Sequence, residues 1–111
     1  MYKSSLTILE NRTVLTISGD DAKNFLQGLV TNDVDKVSEE NTIYTALLTP
    51  QGKYLHDFFI LKIGDKYYLD CEKSRIEDLI RRLRMFKLRT NVIIELANEM
   101  CVIAIYGDRT I

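Results

Sequence analysis

Tryptophan is missing from this chain, histidine and proline occur once each, and only five glycines interrupt its 111 residues. Cysteine is nearly missing too. Cys71 and Cys101 lie far apart, with no Cys-x-x-Cys spacing. That pattern excludes a cysteine-built metal site and predicts two buried, unbridged thiols in a reducing compartment. Charge of one sign is not in excess. Fifteen Lys and Arg face sixteen Asp and Glu, for a formal charge of −1, so no global field recruits nucleic acid. No apolar run approaches the roughly 20 residues of a membrane span. Met1-Tyr2-Lys3-Ser4-Ser5 leads into a short alternating segment and not into a signal-peptide core. These absences predict a cytoplasmic protein with neither a membrane nor a nucleic-acid partner. No Gly-rich phosphate loop and no nucleophile beside a base can be found.

What is present is an ordinary soluble composition, 46% apolar and 28% charged, in a length that suits one domain spanning residues 1–111. Leu6 and Ile8, then Val14, Leu15 and Ile17, flank the polar pair Asn11-Arg12. They predict a hairpin of strands Ser5–Leu9 and Thr13–Ser18. Ala22, Phe25, Leu26 and Leu29 share one face of a helix over Asp21–Leu29, capped by Asp20 or Ser18. Asp35–Asn41 is polar and mostly acidic and reads as a solvated linker. Strands follow at Thr42–Leu48, Tyr54–Ile63 and Lys66–Cys71, the first two joined by Thr49-Pro50-Gln51-Gly52, a turn with Pro at i+1. Ser74-Arg75-Ile76-Glu77 has the capping-box pattern, and Ile76, Leu79, Ile80, Leu83 and Phe86 give a helical stripe to Lys87. Val92–Leu96 and Met100–Tyr106 complete seven strands. The order β2-α-β3-α-β argues for an α+β fold, with helices on one face of a mostly antiparallel sheet.

Alternation along Tyr54–Ile63 sets Leu55, Asp57, Phe59, Leu61 and Ile63 on one face and Tyr54, His56, Phe58 and Ile60 on the other. Asp57 is the only carboxylate on its face. Either it accepts hydrogen bonds from an amidine-like edge of a ligand, or it is solvated or paired with Lys53 or an arginine. His56 has no acid or nucleophile at a telling spacing and reads as a half-exposed strand residue. Asn32-Asp33 either presents polar groups to a cleft or bonds its own backbone in a turn. Tyr44, Tyr54, Tyr67 and Tyr68 crowd the strands, able to stack on a flat heterocycle but suited equally to ordinary packing. Arg81, Arg82, Arg84, Lys87 and Arg89 form either a solvated helix end or a site for a polyanion or an acidic partner surface.

Gly19-Asp20-Asp21-Ala22, Phe25-Leu26-Gln27, Thr31-Asn32-Asp33, Leu48-Thr49-Pro50-Gln51-Gly52-Lys53 and Leu88-Arg89-Thr90-Asn91-Val92 together resemble the amino-terminal half of the T-protein-like folate-binding family. Within it they look closest to the YgfZ-type branch linked to iron–sulfur clusters. The resemblance implies one half of a duplicated β2-α-β3-α domain, with the second half opening over 98–111. It implies a tetrahydrofolate site made by Asp57, Tyr44, Asn32 and Cys71, and a role in iron–sulfur cluster assembly or repair with a reduced folate and assembly proteins as partners. The alternatives it leaves are a fragment of a tetrahydrofolate-dependent aminomethyltransferase and a non-catalytic interaction module. The transferases carry an Asp-Asp pair where this chain has His56-Asp57, and an Asn near Cys71. An apolar strand at Met100–Tyr106 without a second half to cover it also predicts a strand-exchanged homodimer through the residues after Arg89.

Overall fold

The computed structural model describes residues 2–109, with side chains placed over 6–103. Seven strands and two α-helices follow one another: β1 Tyr2–Ile8, β2 Arg12–Ser18, α1 Ala22–Gln27, β3 Ile43–Leu48, β4 Tyr54–Ile63, β5 Lys66–Glu72, α2 Ile76–Lys87, β6 Ile93–Leu96 and β7 Ile103–Arg109. Five strands form an antiparallel sheet in the order β3-β4-β5-β2-β6. Both helices cover one face of it, so the fold is α+β as the element order predicts.

The period of two decides which side chains meet the helices. Leu15 and Ile17 from β2, Leu47 from β3, Phe58 and Ile60 from β4, and Leu69 and Cys71 from β5 all point inward. They close on Phe25 and Leu26 of α1 and on Leu79 and Leu83 of α2 in one continuous core. Each fully buried Leu, Ile or Phe stabilises the fold by roughly 1.5–3 kcal/mol. The opposite face, carrying Arg12, Tyr44, Asp57, Phe59, Tyr68 and Asp70, has no helix over it.

The Pro50 turn forms as its chemistry dictates. Gly52 donates its N–H to the Thr49 carbonyl at 2.9 Å and takes φ +84°, a conformation that favours glycine. Gly64, at φ +61°, closes the β4–β5 turn.

Five sequence expectations need correction at the level of the elements, besides those for His56 and Cys71 at the site. The first concerns the β1–β2 hairpin. β1 pairs with β7, from Tyr2 opposite Arg109 to Ile8 opposite Ile103, in a separate two-stranded sheet. The reason is that β5 and β6 occupy both edges of β2, leaving no edge for β1. Strand seven is therefore not unpaired. Its predicted burial on both faces lies largely outside the residues with described side chains, and Ile103 at its start is exposed.

The second and third corrections concern helix caps. No side chain caps α1. Asp21 instead accepts the Asn91 N–H at 2.7 Å, binding the approach to β6 across the start of the helix. The Ser74 capping box does not form either, because Lys73–Arg75 is a 3-10 turn leading into α2.

The remaining two concern burial. A 3-10 turn at Val34–Lys36 runs into the supposed solvated linker Asp35–Asn41 and lets Val37 of that linker reach the core beside Val34. Cys71 is buried as expected, but Cys101 is exposed because it precedes β7 in an irregular segment. Among the described residues no helix is long and apolar enough to cross a membrane.

Candidate functional site

The open face of the sheet carries the chemistry. Register places Tyr44 opposite Phe59 and Ala46 opposite Asp57 on neighbouring strands. The Tyr44 hydroxyl donates a hydrogen bond to Asp57 Oδ2. Within the folded chain the partner of Asp57 is Tyr44, not Lys53 or an arginine. That bond, before desolvation, holds the Tyr44 phenol above its usual range. Phe59 lies against Tyr44 with ring centroids 5.0 Å apart and planes inclined at 49°, a favourable aromatic geometry. Both rings stay largely exposed, Tyr44 at 54% and Phe59 at 41%. One carboxylate, one phenol and two exposed aromatic planes thus share one surface.

Asn32 reaches this cluster from behind. Its Nδ2 donates to the Tyr44 carbonyl at 3.1 Å, and its Oδ1 accepts the Asp33 N–H at 2.7 Å. Its backbone N–H donates to Thr45 Oγ1 at 2.9 Å. The segment therefore behaves as a turn stapled to the edge of β3, and Asn32 steadies the strand that bears Tyr44. Gln27, which the sequence singles out only as part of the Phe25-Leu26-Gln27 motif, completes the staple. Its Oε1 accepts the Val34 N–H at 2.6 Å and its Nε2 donates to Asp33 Oδ1 at 3.0 Å. Asp33 also accepts the Asp35 N–H, and these bonds, that from Asp35 first, lower its carboxyl below the ordinary value. The signal was the Gln27–Asp33 spacing, which brackets the exit from α1.

Cys71 is not brought to this cluster. It sits opposite Phe58 and Thr13 on the helix-facing side of the sheet. It is 2% exposed within the core, its side chain on the face away from Asp57, and that burial pushes its thiol up to about 12.

His56 also differs from expectation. It faces the core at 4% exposure, and its Nε2 lies 2.7 Å from Asp78 Oδ2. Asp78 accepts from Arg82 Nε at 2.8 Å and Arg81 at 2.6 Å as well. Arg82 first, then His56 and Arg81, hold the Asp78 carboxyl well below the usual range. An ionised acceptor requires the His56 proton to reside on Nε2. The buried histidine is thus satisfied, and an acidic side chain in its place would point into the core and away from Asp57.

Two more features extend the open face. Arg12 donates from Nε to Asp70 Oδ1 at 2.8 Å and from Nη2 to the Asp70 carbonyl at 2.7 Å. Asp70 is the residue across from Phe59 on β5. Of the other strand tyrosines, Tyr68 shares the open face on β5 across from Leu61, Tyr67 is buried with Lys62 at 5.6 Å from its ring, and Tyr54 stands beneath Arg75 at 6.0 Å. Hollows are present along α2 and below the β1–β7 ribbon, and neither is lined by Tyr44 or Asp57. Among the described residues no group of three His, Cys, Asp or Glu is placed to hold a metal.

Known proteins resemble this chain in sequence and in fold. The GCVT N-terminal domain family matches residues 6–110. A protein of Pyricularia oryzae named iron-sulfur cluster assembly factor IBA57 homolog, mitochondrial, is 32% identical over 100 residues, covering 86% of this chain and 25% of that protein. A protein of the same name from Neosartorya fischeri is 29% identical, covering 98% of this chain and 27% of its own length. The chain therefore spans about a quarter of these curated relatives. The crystal structure of glycine cleavage system aminomethyltransferase T from Bartonella henselae superposes with a TM-score of 0.81 over 93% of this chain and 28% of the other. Sequence identity there is 14%, so that likeness speaks for the fold alone. With nearly its whole length matched, the chain belongs to the GCVT N-terminal domain family.

Proposed function

We propose that this chain is the reduced-folate-binding amino-terminal part of a protein that supports iron–sulfur cluster assembly or repair. The observation that carries the folate half is the Tyr44–Asp57 pair on a helix-free sheet face beside Phe59. Asp57 has lone pairs beyond the one Tyr44 uses, and a carboxylate of that kind suits the amidine-like edge of a pterin. The exposed rings of Tyr44 and Phe59 offer flat surface to the heterocycle. Asn32 acts at one remove by fixing the Tyr44 backbone, and Cys71 has no part because it faces the core. Bound tetrahydrofolate would supply a one-carbon carrier. The iron–sulfur half is supported by the names of the relatives.

Aminomethyl transfer is the less favoured alternative, because the position beside Asp57 holds His56, turned inward and bonded to Asp78. Proteins of iron–sulfur assembly are the expected macromolecular partners. A strand-exchanged homodimer is less favoured than a monomer, since β7 already has β1 as its partner within the chain. The cytoplasmic location expected from the cysteines stays part of this proposal; the mitochondrial names belong to the relatives.

Calorimetry with tetrahydrofolate tests the folate half. Asp57→Asn should weaken binding by about 1.5–3 kcal/mol, the value of a hydrogen bond to a charged group. Unchanged affinity removes Asp57 from the site, and no binding by the wild type removes the folate reading. Normal iron–sulfur enzyme activity in cells lacking the gene would remove the assembly role.

A further inference from the structure

The outer side of α2 departs from an ordinary solvated helix. Its inner stripe is committed to the core through Leu79 and Leu83. Yet Met85 is 58% exposed and Leu88 82%, and Ile93 at the start of β6 is 51% exposed. A hollow of about 610 Å³ is lined by Glu77, Ile80, Arg81, Arg84 and Met85. A second, of about 330 Å³, is lined by Arg84, Lys87, Val92, Ile93 and Ile94. Arg84 borders both, so they form one surface along the helix and onto the edge strand β6, whose far side pairs with nothing in the sheet. Met and Arg side chains, which cluster here, are enriched in protein interfaces.

Charge gives this surface a sign. The chain as a whole is formally −1, but Arg84 and Lys87 of this surface, and Arg89 just beyond them in sequence, have no carboxylate partner among the described residues, while Asp78 is already shared by Arg81 and Arg82. Glu77 is the only acid lining either hollow.

Leu88 supplies an independent observation. It ends α2 at φ 45°, where glycine is the usual residue. A leucine held in that conformation and 82% exposed gains nothing from its own core. Strain kept at a surface points to a contact outside the chain.

We propose that the outer face of α2 from Glu77 to Leu88, with the β6 edge at Ile93, docks an acidic amphipathic helix of a partner protein. Leu88, Met85 and Ile93 receive its apolar stripe, and Arg84, Lys87 and Arg89 meet its carboxylates. A second copy of this chain would set like charges against each other, so the charge of this surface favours an acidic occupant over a self-contact. The proposal does not depend on folate binding at the opposite face of the sheet.

Fluorescence anisotropy tests it with a labelled helical peptide that carries Leu and Phe on one face and Glu on the flanks, against the same peptide with Lys for Glu. The acidic peptide should bind at micromolar concentration, more weakly as salt rises, and at least about tenfold more tightly than the basic one. Arg84→Glu with Lys87→Glu should cost at least about tenfold. Leu88→Gly should also weaken binding while the variant melts at the same or a higher temperature, which separates loss of contact from loss of fold. Equal binding of both peptides, no binding at millimolar acidic peptide, or unchanged affinity in these variants overturns the proposal. So does a homodimer, seen by light scattering, that the charge reversals abolish.

Discussion

His56 on β4 and Asp78 on α2 lie 2.7 Å apart and join the sheet to the helix that covers it. The acid is shared with Arg81 and Arg82, so one carboxylate anchors three donors. Its pKa is depressed in the folded chain, chiefly by Arg82. The stability it contributes is therefore present above its unfolded value, near 3.9, and is lost as pH falls below that toward the folded value. The melting temperature of the wild type should drop steeply below about pH 4. Asp78→Asn should melt lower at neutral pH and show a shallower acid slope. Thermal melts followed by circular dichroism between acid and neutral pH check both, and parallel slopes for the two proteins would contradict the assignment.

A second expectation concerns Gly19. It sits at φ +104°, and a Cβ there would press on the Asn91 carbonyl and the Val92 backbone. Backbone cannot step aside as a flexible side chain can. Gly19→Ala should destabilise by about 1–3 kcal/mol, the usual range for overpacking, and should loosen the approach to β6 held by Asp21. Urea unfolding measures it, and a change under about 0.5 kcal/mol would place the contact among ordinary surface substitutions.

The cysteines offer a third. Cys71 is buried, with its thiol pushed up to about 12 by desolvation, whereas Cys101 is exposed. At pH 8 iodoacetamide should add once to the native protein and twice in denaturant, because the thiolate is the reacting form. Mass spectrometry counts the adducts. Two rapid additions to the native protein would show that β5 opens.

The parts of this fold that could be read in the sequence are those written locally. β4 was expected over Tyr54–Ile63 and forms there, because ten residues rich in aromatic and aliphatic side chains lie between the Pro50 turn and Gly64. The two faces of β4 came with it. What the sequence hid was long-range. Asn11-Arg12 looks like a hairpin turn, but the partner of β1 is at the other end of the chain. His56 read as half-exposed because its partner, Asp78, lies on another element 22 residues away. Val37 is a lone apolar residue in an acidic stretch, with no period to announce that it is buried. Of the expected site residues, Tyr44 and Asp57 meet, Asn32 supports them through the backbone, and Cys71 turns away. Its inward face followed from β5 alternation only once the register with β4 was known.

The pairing of β1 with β7 puts Tyr2 beside Arg109, so the described chain leaves the module where it entered. Topologically the five-stranded sheet hangs from that clasp like a bead on a closed loop. Material joined at either end would emerge from one place and need not thread across the Tyr44–Asp57 face or the outer side of α2. The two surfaces can therefore evolve, and be engineered, without rerouting the chain.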